Sequence, residues 1–227
     1  MKRAINAKVD QLFEKLTSCL GTLNYRFKNL CIKAEEASLV AITVSVEGET
    51  KNLEDVSTVA KKDDYHFWIV PTYEEDTEEI CKGIAKVHPE FKQSFDSMTV
   101  QAPSSSNPTE LTDQEMKYIE LTMPEVNDDR YDVLKEATNL FYDECKTKMK
   151  AAIDKTWADV LFLAPGESKE DLEQLKNNID KGKEMAEQQR DKMYNDKLKE
   201  IEDAYKEWLS KLDGRKNIGE AIKSEEE

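Results

Sequence analysis

The sequence has no run of about 18 uncharged apolar residues, so it predicts no membrane-spanning helix. Its first residues, MKRAINAKVDQLFEKL, have no secretory apolar core. They also differ from the acid-poor, Arg/Ser-rich composition of an organellar transit peptide. We therefore expect either a cytosolic protein or one whose import sequence has been removed.

Motifs for metal binding and catalysis are also missing. The four cysteines lie far apart without a CxxC pair, and the two histidines are isolated, so no metal site is predicted. Cys19 and Cys145 fall on core positions of the helical pattern and predict small buried side chains in a reducing compartment. There is no Gly-rich phosphate loop, no nucleophile with a base and no HExxH spacing. We therefore expect a protein that is not an enzyme and uses no cofactor.

Charge is distributed unevenly along the chain. The overall net charge of −15 disfavours indiscriminate nucleic-acid binding, which requires Lys and Arg to neutralise phosphates. Residues 1–40 carry a net charge of +3, whereas residues 41–127 carry −11 and residues 128–227 carry −7. The densest acidic cluster, from Glu74 to Glu79, is interpreted as the solvated start of a helix, where acids complement the helix dipole.

Apolar residues recur at alternating spacings of three and four near both ends of the chain. This pattern predicts amphipathic helices from about residue 4 to 32, from Asn127 to about 163, and from Ser168 to about 212, with Asn127 and Ser168 as N-caps. None of these helices can bury its row of apolar side chains alone, so the first helix is expected to pack on the last two. The stripes include Val9, Leu12, Leu16, Cys19, Leu23 and Phe27, then Leu134, Phe141 and Cys145, then Leu172, Leu175, Ile179, Ala186, Met193 and Ile201.

The segment between the first two helices has a different pattern. Its β-branched and aromatic runs predict strands, bounded by turn residues and prolines. The stretch at 94–116, with its prolines and three serines, is predicted to be a flexible insertion. The predicted strands lie at residues 39–46, 56–60, 65–70 and 118–123, and one helix at residues 79–87.

The predicted fold class is therefore α+β: an elongated three-helix bundle with a small β-rich α+β domain inserted after the first helix. Two short crossings between them, near residues 33–37 and 123–127, predict a hinge. The bundle is assigned to residues 1–33 and 124–215, the small domain to residues 34–123, and an acidic tail to residues 216–227.

The order of these parts resembles the ribosome recycling factor family over nearly the whole chain. The residues from Cys31 to Val44 match the family's Ile-Arg-Thr…Ser-Leu…Ile-x-Val hinge and first strand, and Leu53–Ser57 matches its leucine-led second strand. Residues 119–134, IELTMPEVNDDRYDVL, are similar to the passage that leaves the small domain and begins the long helix. Pro165–Leu175 resembles the acidic turn into the last helix.

This resemblance implies a translation factor without an active site. Such a factor binds the ribosome after termination and promotes subunit dissociation together with a translocase GTPase of the elongation factor G type. The resemblance implies that the bundle lies on large-subunit rRNA, that no membrane is involved and that the protein acts as a monomer. The segment at residues 94–116 and the loss of arginines from the family's arginine cluster favour a mitochondrial lineage, with a cytoplasmic location as the alternative. The candidate rRNA-binding residues are Lys33, Arg130, Lys148 and Lys155.

An alternative hypothesis comes from the family's arginine cluster on the middle long helix. At that place the chain reads AAIDKTWA from Ala151 to Ala158, and only Lys155 is basic. Lysine offers a point charge where a planar guanidinium binds phosphate through two hydrogen bonds. The alternative is a degenerate protein of this fold, acting as a ribosome-associated assembly or regulatory factor without splitting activity. A coiled-coil adaptor would explain the helices but not the strands.

Overall fold

The computed structural model describes residues 3–35, 38–103 and 111–225. The chain divides into two compact units, Met1–Leu30 with Val126–Glu227 and Cys31–Glu125. The limits that the sequence predicts for the small domain, residues 34 and 123, lie within three residues of the ends of the second unit. None of the described helices combines the length and the hydropathy needed to cross a membrane.

The long helices lie at the two ends of the chain and the strands lie between them, as the sequence pattern predicts. The helices are α1 (Arg3–Asn29), the single turn α2 (Leu53–Val56), α3 (Thr77–Val87), α4 (Asp128–Leu163) and α5 (Lys169–Glu225). The strands are β1 (Thr43–Val46), β2 (Glu49–Asn52), β3 (Ser57–Lys61), β4 (His66–Pro71), β5 (Lys92–Pro103) and β6 (Leu111–Thr122).

Helices α1, α4 and α5 form a three-helix bundle, which confirms the predicted architecture of this unit. Their apolar stripes face one another, and Leu12, Leu23 and Ile179 are almost completely buried. At 1.5 Å per residue, α4 is about 54 Å long, so the bundle core is a thin column and not a globule. Trp157 is partly buried and packs against this core.

Side chains cap the N-termini of α4 and α5 where the sequence predicts. Asn127 Oδ1 accepts a hydrogen bond from the backbone N–H of Arg130 at 3.0 Å. Ser168 Oγ accepts one from the N–H of Asp171 at 3.1 Å. Between the helices, Gly166 has a φ of 93°, a left-handed conformation that glycine adopts without steric cost.

The end of the last helix differs from the prediction. Helix α5 continues through Asp213 and Gly214 to Glu225, so the predicted stop near residue 212 and the separate tail beyond residue 215 are wrong for the described residues. Gly214 does not adopt the left-handed conformation that ends many helices. In a helix interior, glycine costs only about 1 kcal/mol relative to alanine, which one long helix tolerates.

The small unit contains a β1–β2 hairpin and a four-stranded antiparallel sheet in the order β3-β4-β6-β5. One face of this sheet packs with α3 and β1 around a core that includes Phe67, Ile69 and Ile119. The first strand is shorter than predicted: of residues 39–46, only Thr43–Val46 forms a strand, which pairs with β2. Thr77 begins α3 and donates its hydroxyl to the Glu74 carbonyl.

The prediction of a flexible insertion at residues 94–116 is wrong for its described part, and residues 104–110 lie outside the described residues. Strands β5 and β6 pair continuously from Lys92 opposite Thr122 to Pro103 opposite Leu111. Alternate residues on one face of this ribbon, among them Met98, Val100 and Met116, are partly buried. The Pro and Ser content concealed this period-two alternation, which is the stronger signal for a strand.

Substitution of Gly83 by alanine is expected to destabilise the small unit by about 1–3 kcal/mol. A Cβ at this position of α3 would lie 2.7 Å from the Thr43 carbonyl oxygen, and that backbone atom cannot move without displacing β1. The measurement is denaturant unfolding followed through Trp68, with Trp157 and Trp208 replaced by phenylalanine.

The matched control is Gly21→Ala in α1, where an added Cβ meets nothing within 4 Å. This change is expected to stabilise the bundle by up to about 1 kcal/mol, the helix-propensity difference between the two residues. Bundle unfolding is followed through Trp157, with Trp68 and Trp208 replaced by phenylalanine. Equal effects of Gly21→Ala and Gly83→Ala would contradict the packing argument.

A buried histidine joins the end of α3 to the first residues of the small unit. The His88 side chain is almost fully buried, with Nε2 2.9 Å from the Ser38 carbonyl oxygen and Nδ1 3.2 Å from Glu90 Oε1. Its ring stacks on Phe91 with centroids 4.5 Å apart, and Cys31 Sγ lies 3.9 Å from Nδ1. Burial disfavours the charged ring, but the hydrogen bonds to Cys31, Glu90 and Ser38 outweigh it and raise the pKa of His88 to about 10.

Candidate nucleic-acid interface

Two ion pairs join α1 to α4 along one side of the bundle. Lys8 Nζ lies 2.9 Å from Asp159 Oδ2, and Arg26 donates to Glu144 Oε2 at 2.6 Å. The Lys8 pair lies near the start of α1 and the end of α4, whereas the Arg26 pair lies near the end of α1 and the middle of α4, so the two helices are antiparallel. All four side chains are partly exposed, and such pairs contribute little to stability. Their main consequence is to neutralise the two carboxylates.

Two further lysines of α4 lie on the same side. Lys148 and Lys155 are exposed and seven residues apart, which is almost two helical turns, so they project in nearly the same direction. Lys148 Nζ lies 3.9 Å from the already paired carboxylate of Glu144. The hydrogen bond from Lys8, with added charge from Lys155 and Lys15, lowers the pKa of Asp159.

We call this surface the basic stripe. It contains five cations and two carboxylates, which gives a local excess of positive charge on a chain with a net charge of −15. A cation excess arranged along a helix is suited to the phosphates of a nucleic acid, which fix the position of a protein without reading sequence. The basic stripe consists of Lys8, Lys15, Arg26, Lys148 and Lys155, with Glu144 and Asp159 between them.

A small cavity of about 150 Å³ opens in the stripe between α1 and α4, and its lining includes Arg26, Lys148 and both bundle cysteines. The Arg26 guanidinium stacks on the Phe141 ring at 4.9 Å, which holds it at the rim. Burial raises the pKa of Cys145 to about 11 and also raises the pKa of Cys19, so both thiols are protonated near neutral pH. This disfavours a reactive cysteine. Cys145 is buried as predicted, whereas Cys19 is only half-buried.

The four residues predicted from the sequence do not form one group. Lys148 and Lys155 lie on the basic stripe. Arg130 precedes Lys148 by about five helical turns, which places it on the same side of α4. Its backbone N–H donates to the Asn127 cap. Lys33 belongs to the small unit, where its Nζ donates to Asp64 Oδ2 at 2.9 Å.

The lysine run at residues 146–155 is divided by the helix. Lys146 and Lys150 project from the opposite side of α4 to Lys148, because two residues turn the helix by about 200°. In the replaced arginine cluster, Ala151 is exposed and lies three residues after Lys148 and four before Lys155, directly within the stripe. Position 151 therefore leaves a gap in the row of cations.

Sequence reasoning did not identify the α1 side of the stripe. The signal for Lys8, Lys15 and Arg26 was present as the net positive charge of residues 1–40, and their spacings of seven and eleven place them on one side of α1. The sequence does not show which helix packs beside this side of α1, and the structure shows that it is α4.

Among the described residues, no group of three or more His, Cys, Asp or Glu side chains is arranged to hold a metal ion.

No protein-family model matches this sequence, and no curated protein matches it either. Among solved structures, the solution structure of the ribosome recycling factor is similar over 89% of this chain and 100% of its own, with 14% identity and a TM-score of 0.68. A second is the T. thermophilus ribosome recycling factor, from models of that factor and E. coli elongation factor G bound to the E. coli post-termination complex. It is similar over 87% of this chain and 98% of its own, with 15% identity and a TM-score of 0.51.

The first similarity covers the whole of the other chain, so it includes both the bundle and the small unit. At these identities a similarity establishes fold and leaves activity open. The resemblance inferred from the sequence is thereby confirmed for the architecture: this chain has the fold of the ribosome recycling factor.

Proposed function

We propose that this protein is a ribosome recycling factor-like translation factor, which binds the ribosome after termination and promotes subunit dissociation with a translocase GTPase. The observation that carries this proposal is the structural similarity over the full length of the ribosome recycling factor. The second similar structure comes from models with elongation factor G on a post-termination complex, which supports a GTPase of that type as the partner.

The basic stripe is the surface through which the bundle would bind large-subunit rRNA. Its cations lie along the α1–α4 groove, where the rise of α4 separates Lys148 from Lys155 by about 10 Å. Since bound phosphates release counterions, this binding is expected to weaken steeply as salt rises. Arg130 and Lys33 remain proposed contacts, Arg130 further along α4 and Lys33 on the small unit.

The role is mechanical and not enzymatic in this proposal. The bundle binds, the small unit moves about the chain crossings near residues 31 and 125, and the partner's GTP hydrolysis supplies the energy. We further propose that the protein acts as a monomer in mitochondria, because the weakened arginine cluster suggests an organellar lineage, with a cytoplasmic location as the alternative.

The decisive test is a subunit-splitting assay with post-termination 70S-type ribosomes, the matching translocase and GTP. The full-length protein is expected to co-sediment with these ribosomes at low salt and to release subunits only when translocase and GTP are both present. Omission of the translocase and replacement of GTP by GDP are the controls. Failure to co-sediment at low salt would overturn the proposal.

A second candidate function is favoured by the exposed Ala151 and Asp154 in place of the arginine cluster. In that case the protein binds ribosomes as an assembly or regulatory factor and does not split them. The double substitution Ala151→Arg, Asp154→Arg adds two guanidinium groups to this part of α4. If it splits ribosomes where the unmodified protein binds without splitting, the second function is supported.

A further inference from the structure

Phe162 is the most exposed large apolar side chain among the described residues, at 84%. It lies in the last turn of α4, the same end of the bundle as Lys8. A single exposed apolar side chain is ordinary on protein surfaces and needs no explanation by itself. The position of Phe162 relative to the basic stripe is the informative feature.

Phe162 continues the line of lysines on α4. It follows Lys155 by seven residues, as Lys155 follows Lys148, so the three side chains project within about 40° of one another. The axial step between successive members is about 10 Å, which corresponds to about three stacked nucleotides at 3.4 Å each. The row therefore presents two cations and then one exposed aromatic ring.

The charges around Phe162 favour an uncharged group at this end of the row. The carbonyl groups of the last turn of α4 carry the negative end of the helix dipole, which disfavours a phosphate there. Asp159 lies between Lys155 and Phe162, but its carboxylate is paired with Lys8 at 2.9 Å, so it opposes an approaching strand only weakly. A nucleobase is uncharged and has a face on which an aromatic ring can stack.

We propose that Phe162 is a stacking site for an unpaired RNA base, at the end of a strand whose phosphates contact Lys155 and Lys148. This inference rests on the proposed function, because it takes the basic stripe as an RNA-binding surface. It adds the class of ligand, a single-stranded or looped segment. In a continuous duplex the bases are stacked on one another and their faces are not available.

The experiment measures binding of the full-length protein to two fluorescent RNAs at low salt: a single-stranded oligoadenylate, and a blunt duplex of the same length. Phe162→Ala is expected to weaken binding to the single strand about tenfold or more, since one stacked base contributes a factor of this order. Binding to the duplex is expected to change less than about twofold, because duplex phosphates contact only the lysines.

Two further variants distinguish the stacking of an aromatic ring on a base from the contact that any apolar side chain of similar size would make. Phe162→Leu keeps an apolar side chain without a π-face and is expected to behave like Phe162→Ala, whereas Phe162→Trp restores the binding. The matched control is Leu161→Ala, which removes a neighbouring side chain that is 69% exposed but points about 100° away around the helix. This control is expected to bind both RNAs as the unmodified protein does.

Equal binding of the single strand by Phe162→Ala and the unmodified protein overturns the stacking site. So does an equal loss for strand and duplex. If Phe162→Ala binds both RNAs normally but co-sediments less with ribosomes, the ring contacts a ribosomal protein and the proposal is also wrong. These results leave the RNA-binding role of the stripe intact, because that role depends on Lys148 and Lys155. Absence of binding to either RNA by the unmodified protein overturns both.

Discussion

Replacement of Lys148 and Lys155 by glutamine together is expected to lower the affinity for ribosomes roughly a hundredfold at about 50 mM salt. Each phosphate contact contributes about 0.7 to 0.9 to the slope of log affinity against log salt, so two lost contacts reduce that slope by about 1.4 to 1.8. The measurement is co-sedimentation at several salt concentrations. The salt dependence is the more informative result, because a misfolded variant loses affinity without this defined change in slope.

The matched control is the double variant Lys146→Gln, Lys150→Gln. It removes the same charge from the same helix, and both lysines are exposed, but they project away from the groove with α1. This control is expected to retain nearly all of the affinity and slope. If both double variants weaken binding equally, the ribosome responds only to net charge and the basic stripe is not an interface.

The stability of the small unit is expected to fall as the pH rises from about 6.5 to 10, because His88 is charged in the folded state. Its pKa is raised from 6.5 in the unfolded chain to about 10 in the fold. Because the pKa of His88 is higher in the folded state than in the unfolded chain, the charged ring stabilises the fold fully below pH 6.5. This stabilisation is lost progressively as the pH rises from 6.5 to 10. A shift of this size corresponds to at most about 5 kcal/mol, and relaxation of the site reduces the expected loss to about 2–3 kcal/mol.

The pKa of His88 is raised because its Nδ1 hydrogen-bonds with Cys31 Sγ and the Glu90 carboxylate, and its Nε2 with the Ser38 carbonyl, against the opposing effect of burial. The test is urea unfolding followed through Trp68 at pH 6, 8 and 10, in the background without the bundle tryptophans. His88→Gln is expected to be less stable at pH 6 and to lose most of the pH dependence, whereas His66→Gln keeps it. A pH-independent free energy of unfolding in the unmodified protein would show that His88 is neutral in the fold.

The bundle could be predicted from the sequence because its information is local. Stripes such as Leu12, Leu16 and Leu23 repeat every three or four residues, and Asn127 and Ser168 are adjacent to the backbone groups that they cap. Two local signals led to wrong predictions, the Pro/Ser content of residues 94–116 and the glycine at position 214. The β5–β6 pairing continues through the described part of residues 94–116, and helix α5 continues through Gly214, because these residues are only mildly unfavourable in a strand or a helix.

The candidate sites show why local information was insufficient for function. Lys148 and Lys155 could be proposed from the sequence, but their value depends on Lys8, Lys15 and Arg26, which come from a helix more than a hundred residues earlier. Only the antiparallel packing of α1 on α4 determines that Glu144 and Asp159 are neutralised within the stripe. Lys33, although basic, belongs to the other unit and is paired with Asp64.

His88 illustrates the same limit within the small unit. In the sequence it is an isolated histidine beside a proline, whereas in the fold its ring meets Ser38, fifty residues earlier, and Cys31. Heptad periodicity, capping residues and strand alternation therefore specified the helices, the order of the units and the fold class, because each depends on residues within a few positions of one another. The basic stripe, the exposure of Phe162 and the charge of His88 were decided by tertiary packing, because electrostatic contacts and burial depend on distance in space and not along the chain.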